Sequence, residues 1–275
     1  MSSDSILSPK ERAAKAALEI VIKLAPKASD IIGLGTGSTA DPFTKFLAEA
    51  FKRSEIPSRP VCVTSIPTAD LCQELELSVL PAIPTCGLRV VVDGADEVNL
   101  KSGAVIKGGG AAALAEKDAA RAALRNGGEF IVIVDESKLS DQLGKVFVYG
   151  VPVHVRPEAR LIVSAMIQKK FNATTSIRGA AVAKDLTLPV SVTAGKAGCY
   201  GALFSREGEF IIDVRFKDEI PQDFNSEVLT LPGVTGCGLF ALEDSPTRII
   251  VAYTDTVKEF ITPHGQKQGL TPILS

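Results

Sequence analysis

The chain is poor in the residues from which many functional sites are built. It has only two histidines, His154 and His264, far apart in sequence, which excludes a histidine-based metal centre. Its five cysteines (Cys62, Cys72, Cys86, Cys199 and Cys237) are scattered, odd in number and without metal-ligand spacing, so free thiols in a reducing cytoplasm are the expected state. Thirty basic residues against 32 acidic ones leave a net charge of −2, too little positive charge for a protein that holds nucleic acid electrostatically. No apolar run is long enough to cross a membrane, and MSSDSILSPKER lacks the apolar core of a signal peptide. Internal repeats and low-complexity tracts are absent. Neither GxGxxG nor a P-loop occurs, which disfavours nucleotide binding.

What remains is ordinary globular composition, 45% hydrophobic and 23% charged, over 275 residues. That length exceeds one typical core and suits a domain carrying an insertion. Ser8-Pro9-Lys10-Glu11 is a helix start with a capping box, and a 3.6-residue apolar period follows it towards Pro26. Short strands are predicted at Ile31–Leu34, Val61–Ser65, Ser78–Pro81 and Phe130–Val134, separated by helical patterns at 43–51 and 69–75. Alternating strands and helices define an α/β class with a Rossmann-like, doubly wound, mostly parallel sheet. Beyond Gly144 the texture changes. Alternating β-type residues over Val146–Val155 precede a helix from Arg156-Pro157 to Phe171. Strands at 174–177, 210–214 and 234–240, with a helix at 223–229, give a β-α-β-β-α-β-like order, which suggests a smaller inserted α+β domain. Arg248–Thr254 reads as a buried strand that returns to the first sheet. The expected division is 1–144 with 248–275, and 145–247 between them. The stretch from Leu186 to Glu209 is the hardest to read.

Chemistry concentrates between Leu88 and Lys117. The apolar run Leu88 and Val90–Val92 ends in Asp93-Gly94-Ala95-Asp96-Glu97, at the strand end where open α/β sheets bind ligands. Lys107 and Gly108–Gly110 follow, then an alanine-rich helix bearing Glu116 and Lys117. GTGST at 35–39, after a strand and before a helix, is either a phosphate cradle or a capped turn. DGADE is a solvated acidic loop or a pair of inward carboxylates. KGGG is a flexible turn or a cation with amides aimed at a developing oxyanion. Glu116 by itself reads as a surface residue, and Lys138, after Asp135, as a solvated lysine or a phosphate contact.

Taken together in this order and spacing, GTGST, DGADE, KGGGAAALAEK and DESK resemble type A ribose-5-phosphate isomerase, over about Lys10 to Gly144. LPGVTGCGLF at 231–240 is similar to the end of that family's second domain. The resemblance implies a Rossmann-like domain with a ferredoxin-like insertion, assembled as a homodimer or homotetramer. It also implies cofactor- and metal-free interconversion of D-ribose 5-phosphate and D-ribulose 5-phosphate in the non-oxidative pentose phosphate pathway. It places Lys10, Thr36, Gly37, Ser38, Thr39, Asp93, Gly94, Ala95, Asp96, Lys107, Gly108, Gly109, Gly110 and Lys138 around the sugar phosphate, with Glu116 as the base. Asp93 is then the group for ring opening, Asp96 orients hydroxyls and Lys107, and Lys107 with the glycine amides stabilises the enediolate. Two departures stand out. LGKVFVYGVPVHV carries His154 where the family has glutamate, and SREGEF replaces TDNGN.

The rivals are another sugar phosphate as substrate, a thioester transferase on the shared fold, and a sugar-phosphate sensor without turnover. The chain before Ile31 is too short for the DNA-binding motif such sensors carry.

If GTGST holds the phosphate, Ser38→Asp or Thr39→Asp sets like charge against it. KM for ribose 5-phosphate should then rise roughly tenfold or more, the equivalent of about 1.4 kcal/mol. An unchanged KM in steady-state assays of both variants would place the phosphate elsewhere.

Overall fold

The computed structural model describes residues 7–25, 27–179 and 202–274. Three sheets and seven helices are seen among them. In chain order they are α1 (Pro9–Leu24), β1 (Ile32–Leu34), α2 (Ala40–Lys52), β2 (Val61–Val63), α3 (Ile66–Glu74), β3 (Val90–Asp93), β4 (Glu97–Val98) and β5 (Val105–Ile106). Next come α4 (Ala113–Leu124), β6 (Glu129–Asp135), β7 (Val151–Val155), α5 (Arg160–Phe171), β8 (Thr174–Ile177), β9 (Phe210–Arg215) and α6 (Phe224–Leu229). The last are β10 (Val234–Cys237), β11 (Leu239–Phe240), β12 (Arg248–Ala252), β13 (Val257–Ile261) and α7 (Pro263–Lys267).

The main sheet has the order β13-β12-β6-β3-β1-β2, parallel except for the antiparallel edge strand β13. Its strands are apolar without alternation because both faces are covered. Val90, Val92, Ile131, Ile133 and Ile250 pack against α1 and α2. Val91, Val132, Val134, Ile249 and Val251 face α4 and Phe240. The α1 start behaves as its sequence dictates: Ser8 Oγ accepts from the Glu11 amide (3.3 Å), and the Glu11 carboxylate accepts from the Ser8 amide (2.8 Å). The return of the chain after residue 247 is also as expected, since β12 pairs in parallel with β6, Ile133 opposite Ile250.

A second sheet, β10-β7-β9-β8, is antiparallel, with its own core built from Val151, Val153, Ile212, Val214, Val163 and Phe224. A third, small sheet, β11-β5-β4, takes β4 and β5 from the chain between β3 and β6 and β11 from the chain between β10 and β12.

Four expectations need correction. The strand read over Val146–Val155 begins only at Val151, because the Glu97 carboxylate gathers the amides of Gly144, Lys145, Val146 and Phe147, each at 3.0 Å, and bends them into a turn. The run Val234–Phe240 is two strands in two sheets. It breaks at Gly238, whose N–H donates to Pro152 O (2.7 Å) and whose carbonyl accepts from the Lys107 amide (2.9 Å). Ser78–Pro81 reduces to one bridge, Val79 to Val61. The helix read at 69–75 starts earlier, at Ile66, with Ser65 as its cap. Of the unreadable stretch, residues 186–201 lie outside the described residues. Among the described residues, no helix is long and apolar enough to cross a membrane.

Arg248 ties the sheet's far end together. Buried at 2% exposure, it ion-pairs with both Glu129 and Glu259 and donates to Thr271 O (2.8 Å). Arg248→Met would strand two buried carboxylates, so unfolding free energy should drop by about 3–5 kcal/mol. Denaturant titration reads this, and a loss below 1 kcal/mol, roughly the value of an exposed pair, would mean the network is solvated.

Candidate active site

The three central strands of the main sheet, β1, β3 and β6, end side by side in GTGST, DGADE and DESK. The chain passes from β1 to β2 in one direction and through β3 to β6 in the other, so β1 and β3 flank the switch point where such sheets bind ligands.

At the bottom sits Asp93, fully buried at the tip of β3. Its Oδ1 accepts from the amides of Gly94 (2.7 Å) and Thr36 (3.1 Å), which joins DGADE to GTGST. Oδ2 faces Lys107 Nζ at 3.0 Å. Gly35 permits this approach, because a Cβ there would lie 2.0 Å from the Asp93 carboxylate. Lys107, at the end of β5, is 2% exposed and also reaches Gly94 O (2.5 Å) and Glu116 Oε1 (3.4 Å). Glu116 lies in the first turn of α4 and is 4% exposed. Asp96 accepts from the Gly109 amide (2.7 Å), joining DGADE to the glycine turn.

The polar end is open. Gly37, Ser38 and Gly110 are exposed, Thr36 and Thr39 half-buried, and Lys10 Nζ donates to Ser38 Oγ at 2.7 Å. Thr39 occupies the cap position of α2 and Thr36 Oγ1 accepts from Ser65 Oγ (2.8 Å). Lys138 is half-buried in a turn that Asp135 caps through the Ser137 amide (2.9 Å), and its charge acts on Asp96. All four motifs thus converge. Gly94 and Ala95 line the half-buried step between the two ends.

Electrostatics sets the buried group apart. Burial pushes the Glu116 carboxyl up to about 8 from an ordinary 4.5. Lys107 pulls it down, and Asp93 and Asp96 push it up further. The sequence supplied both influences without their balance, and desolvation outweighs the cation. Burial opposes the Lys107 ammonium, yet Asp93 and Glu116 hold its pKa above the ordinary value. Burial likewise raises Asp96. Among the described residues, Asp93 Oδ2 has Lys107 Nζ at 3.0 Å as its polar neighbour and Glu116 Oε2 is buried without a hydrogen-bond partner, so each has an acceptor to spare beside Lys107. Those residues contain no group of three or more His, Cys, Asp or Glu side chains arranged to hold a metal ion.

Some of the site was not read from sequence. Glu97, the third acid of DGADE, turns away to bind the 144–147 amides. Lys117 points to Asn225 Oδ1 (2.7 Å), Leu239 O (2.6 Å) and the Phe240 ring, and takes no part in the Asp93–Lys107–Glu116 cluster. Arg178 was missed although it donates to the carbonyls of Gly108 (2.7 Å) and Gly109 (3.1 Å). Its only sequence signal was Asp213, an acid inside the apolar strand FIIDVR, which demands a buried cation opposite.

A parallel-sheet α/β protein with a buried carboxylate–lysine pair at its carboxyl edge belongs with enzymes that move protons on small ligands. The sequence profile described as ribose 5-phosphate isomerase A (phosphoriboisomerase A) matches residues 61–256. Ribose-5-phosphate isomerase A of Pyrococcus horikoshii is 36% identical over 253 residues, 91% of this chain and 96% of that one. Its counterpart in Treponema pallidum is 35% identical over 230 residues, 82% and 80% of the two chains. A solved D-ribose-5-phosphate isomerase in complex with phospho-erythronic acid superposes with TM-score 0.76 at 33% identity, covering 92% of this chain and 97% of that one. The enzyme of Methanocaldococcus jannaschii gives 0.73 at 27%, covering 92% and 98%. The chain belongs to the ribose 5-phosphate isomerase A family.

Gly35→Ala tests the close approach at Asp93. The added methyl has to displace the carboxylate that pairs with Lys107, and misplacing a reacting group by about 1 Å can cost about 10²-fold in rate. Turnover of ribose 5-phosphate should fall by that order, and wild-type turnover in the variant would show that Asp93 does not need its observed position.

Proposed function

We propose that this chain interconverts D-ribose 5-phosphate and D-ribulose 5-phosphate by proton transfer through an enediolate, with Glu116 as the base. The observation that carries the reading is Glu116 itself: buried, raised to about 8, 3.4 Å from Lys107, and with Oε2 free of other partners among the described residues. A carboxylate that is a strong enough base near neutral pH can take a proton from C2 and then, as the acid, return it to C1. As the C2–H bond breaks, its electrons form the C1–C2 double bond and negative charge moves to O1, which takes up a proton. Lys107 and the glycine turn's amides, other than that of Gly109 which Asp96 already takes, are the fixed donors for that charge. Loss of the O2 proton and protonation at C1 complete the ketose. The chemistry draws on no cofactor.

Asp93 has both amide bonds on Oδ1, so ring opening falls to Oδ2. Asp96, tied to the Gly109 amide, orients the sugar hydroxyls. The phosphate lies at Thr36–Thr39, the N-terminus of α2, with Lys10 and Lys138 as cations. The lysine–serine contact at 2.7 Å and the exposed backbone there support this placement. A Cβ on Gly110 would meet nothing within 4 Å, so the packing of the chain does not call for glycine there and a ligand does.

The order β10-β7-β9-β8, with α5 and α6 on one face, supports reading residues 145–247 as a ferredoxin-like domain inserted between 1–144 and 248–275. Leu161 and Ile162 on α5, 66% and 60% exposed, support a homodimer or homotetramer. The free thiols of Cys62, Cys72, Cys86 and Cys237 fit a cytoplasmic setting.

Glu116→Gln keeps shape and loses proton acceptance. The isomerisation rate should fall by about 10²–10⁴, or 3–5 kcal/mol of barrier, while arabinose 5-phosphate binds as before. In the wild type, kcat/KM should climb with pH and level off near 8, as Glu116 ionises. Lys107→Met should shift that limb to higher pH, because the cation holds the carboxyl down. Stability carries the opposite sign: folded Glu116 holds its proton more tightly than the unfolded chain, so its contribution fades as pH rises from about 4.5 to 8. A Glu116→Gln enzyme with near wild-type turnover would move the base to Asp93.

A further inference from the structure

In β9, Ile212 and Val214 enter the core of the second sheet, and Asp213 between them faces the other way, towards the glycine turn. Asp213 is 2% exposed and Arg178, just past β8, is 8% exposed. The two form a forked pair, Arg178 Nε to Asp213 Oδ2 at 3.0 Å and Nη2 to Oδ1. This leaves Nη1, which donates to two successive carbonyls of the KGGG turn, Gly108 O at 2.7 Å and Gly109 O at 3.1 Å.

A trans peptide points its carbonyl and the following N–H in opposite directions. With Gly108 O drawn to Arg178, the Gly109 N–H must point away, and it does, to Asp96 Oδ2 at 2.7 Å. With Gly109 O drawn to the same nitrogen, the Gly110 N–H also points away, on the open side of the turn. Such control is needed here. Gly108 has φ +97° and its carbonyl also accepts from the Ala111 amide (3.0 Å), but among the described residues the Gly109–Gly110 peptide has no such second bond, and glycines resist neither sign of φ. Lysine could not replace this guanidinium, because the fixed fork is what binds the carboxylate and the carbonyls together.

We propose that Arg178 is a positioning residue for the reaction: anchored by Asp213 in the second sheet, it fixes two glycine peptide planes so that Asp96 is held and the Gly110 N–H faces the enediolate oxygen. The inference rests on the isomerase reading given above and assigns the second sheet a part in transition-state stabilisation.

The test pairs Arg178→Gln with Asp213→Asn, which removes both charges together and leaves no buried charge unpaired. Wild-type conversion of ribose 5-phosphate to ribulose 5-phosphate is measured first; its absence defeats the isomerase reading itself. Given wild-type turnover, the double variant should lose about 10²-fold in kcat, the scale of one oxyanion donor, with little change in KM. Affinity for phospho-erythronic acid, whose carboxylate carries charge like that of the enediolate, should fall in proportion to kcat/KM. Affinity for arabinose 5-phosphate should hold. Unchanged kcat and inhibitor affinity would overturn the proposal. So would a parallel loss of both affinities together with the thermal midpoint, which is the mark of a purely structural pair. Should the double variant fail to fold, Arg178→Lys keeps a charge opposite Asp213 without the fork. The same split between the two ligands is expected there, and wild-type kcat in that variant would overturn the proposal equally.

Discussion

A single ammonium group holds this molecule's chemistry in place. Lys107 stands between Asp93 and Glu116 in a site that excludes water almost completely. The buried Asp93 and Glu116 and the half-buried Asp96 share that one cation, and desolvation raises the pKa of both Glu116 and Asp96 in spite of it. Asp93 has two amides for its charge and Glu116 has none on its free oxygen. The geometry therefore gives two chemically similar acids different settings, one anchored by two amides and one buried with an oxygen to spare. Everything around them, from Gly35 to the glycine turn, serves to keep these distances.

Lys117 shows that burial alone does not make such a site. It follows Glu116 directly and is as deeply buried as Lys107, but its pKa moves the other way. Desolvation dominates there because, among the described residues, Asp244 at 3.7 Å is its one close carboxylate and that acid is already forked to Arg121. Two lysines ten positions apart, both close to the Phe240 ring, thus have different partners: Lys117 joins α4 to Asn225 and Leu239, and Lys107 stands between Asp93 and Glu116 at the sheet edge.

The sequence carried the site further than the fold. GTGST, DGADE, KGGG and DESK each sit where a strand ends or a helix begins, so their local grammar was enough to locate them, and the capping box at Ser8 and Glu11 is wholly local too. What escaped depends on partners far away in the chain. Glu97 reads as one more acid of a cluster until four amides some fifty residues later are seen to surround it. Arg178 reads as an isolated base until Asp213 and the glycine carbonyls come together. The run Val234–Phe240 has uninterrupted strand character, and only the crossing of another backbone at Gly238 divides it. The short pairs β4 and β5 have two residues each, too few for any periodicity to register.

The register of β12 has a bearing on how the protein is made. This strand lies inside the main sheet, between β6 and β13, yet it leaves the ribosome long after β6. β6 ends at Asp135 and its neighbour begins only at Arg248, so throughout synthesis of the intervening stretch β6 presents a bare, apolar edge with Ile131, Ile133 and their neighbours unpaired. Open edges of this kind invite pairing between nascent chains. The interval lets the second sheet assemble on its own local contacts while the first waits, and closure of the large sheet becomes a late, non-local event of folding. A ribosome that stalls shortly before codon 248 would release a chain with its chemical groups already encoded and its sheet still open, a natural client for chaperones.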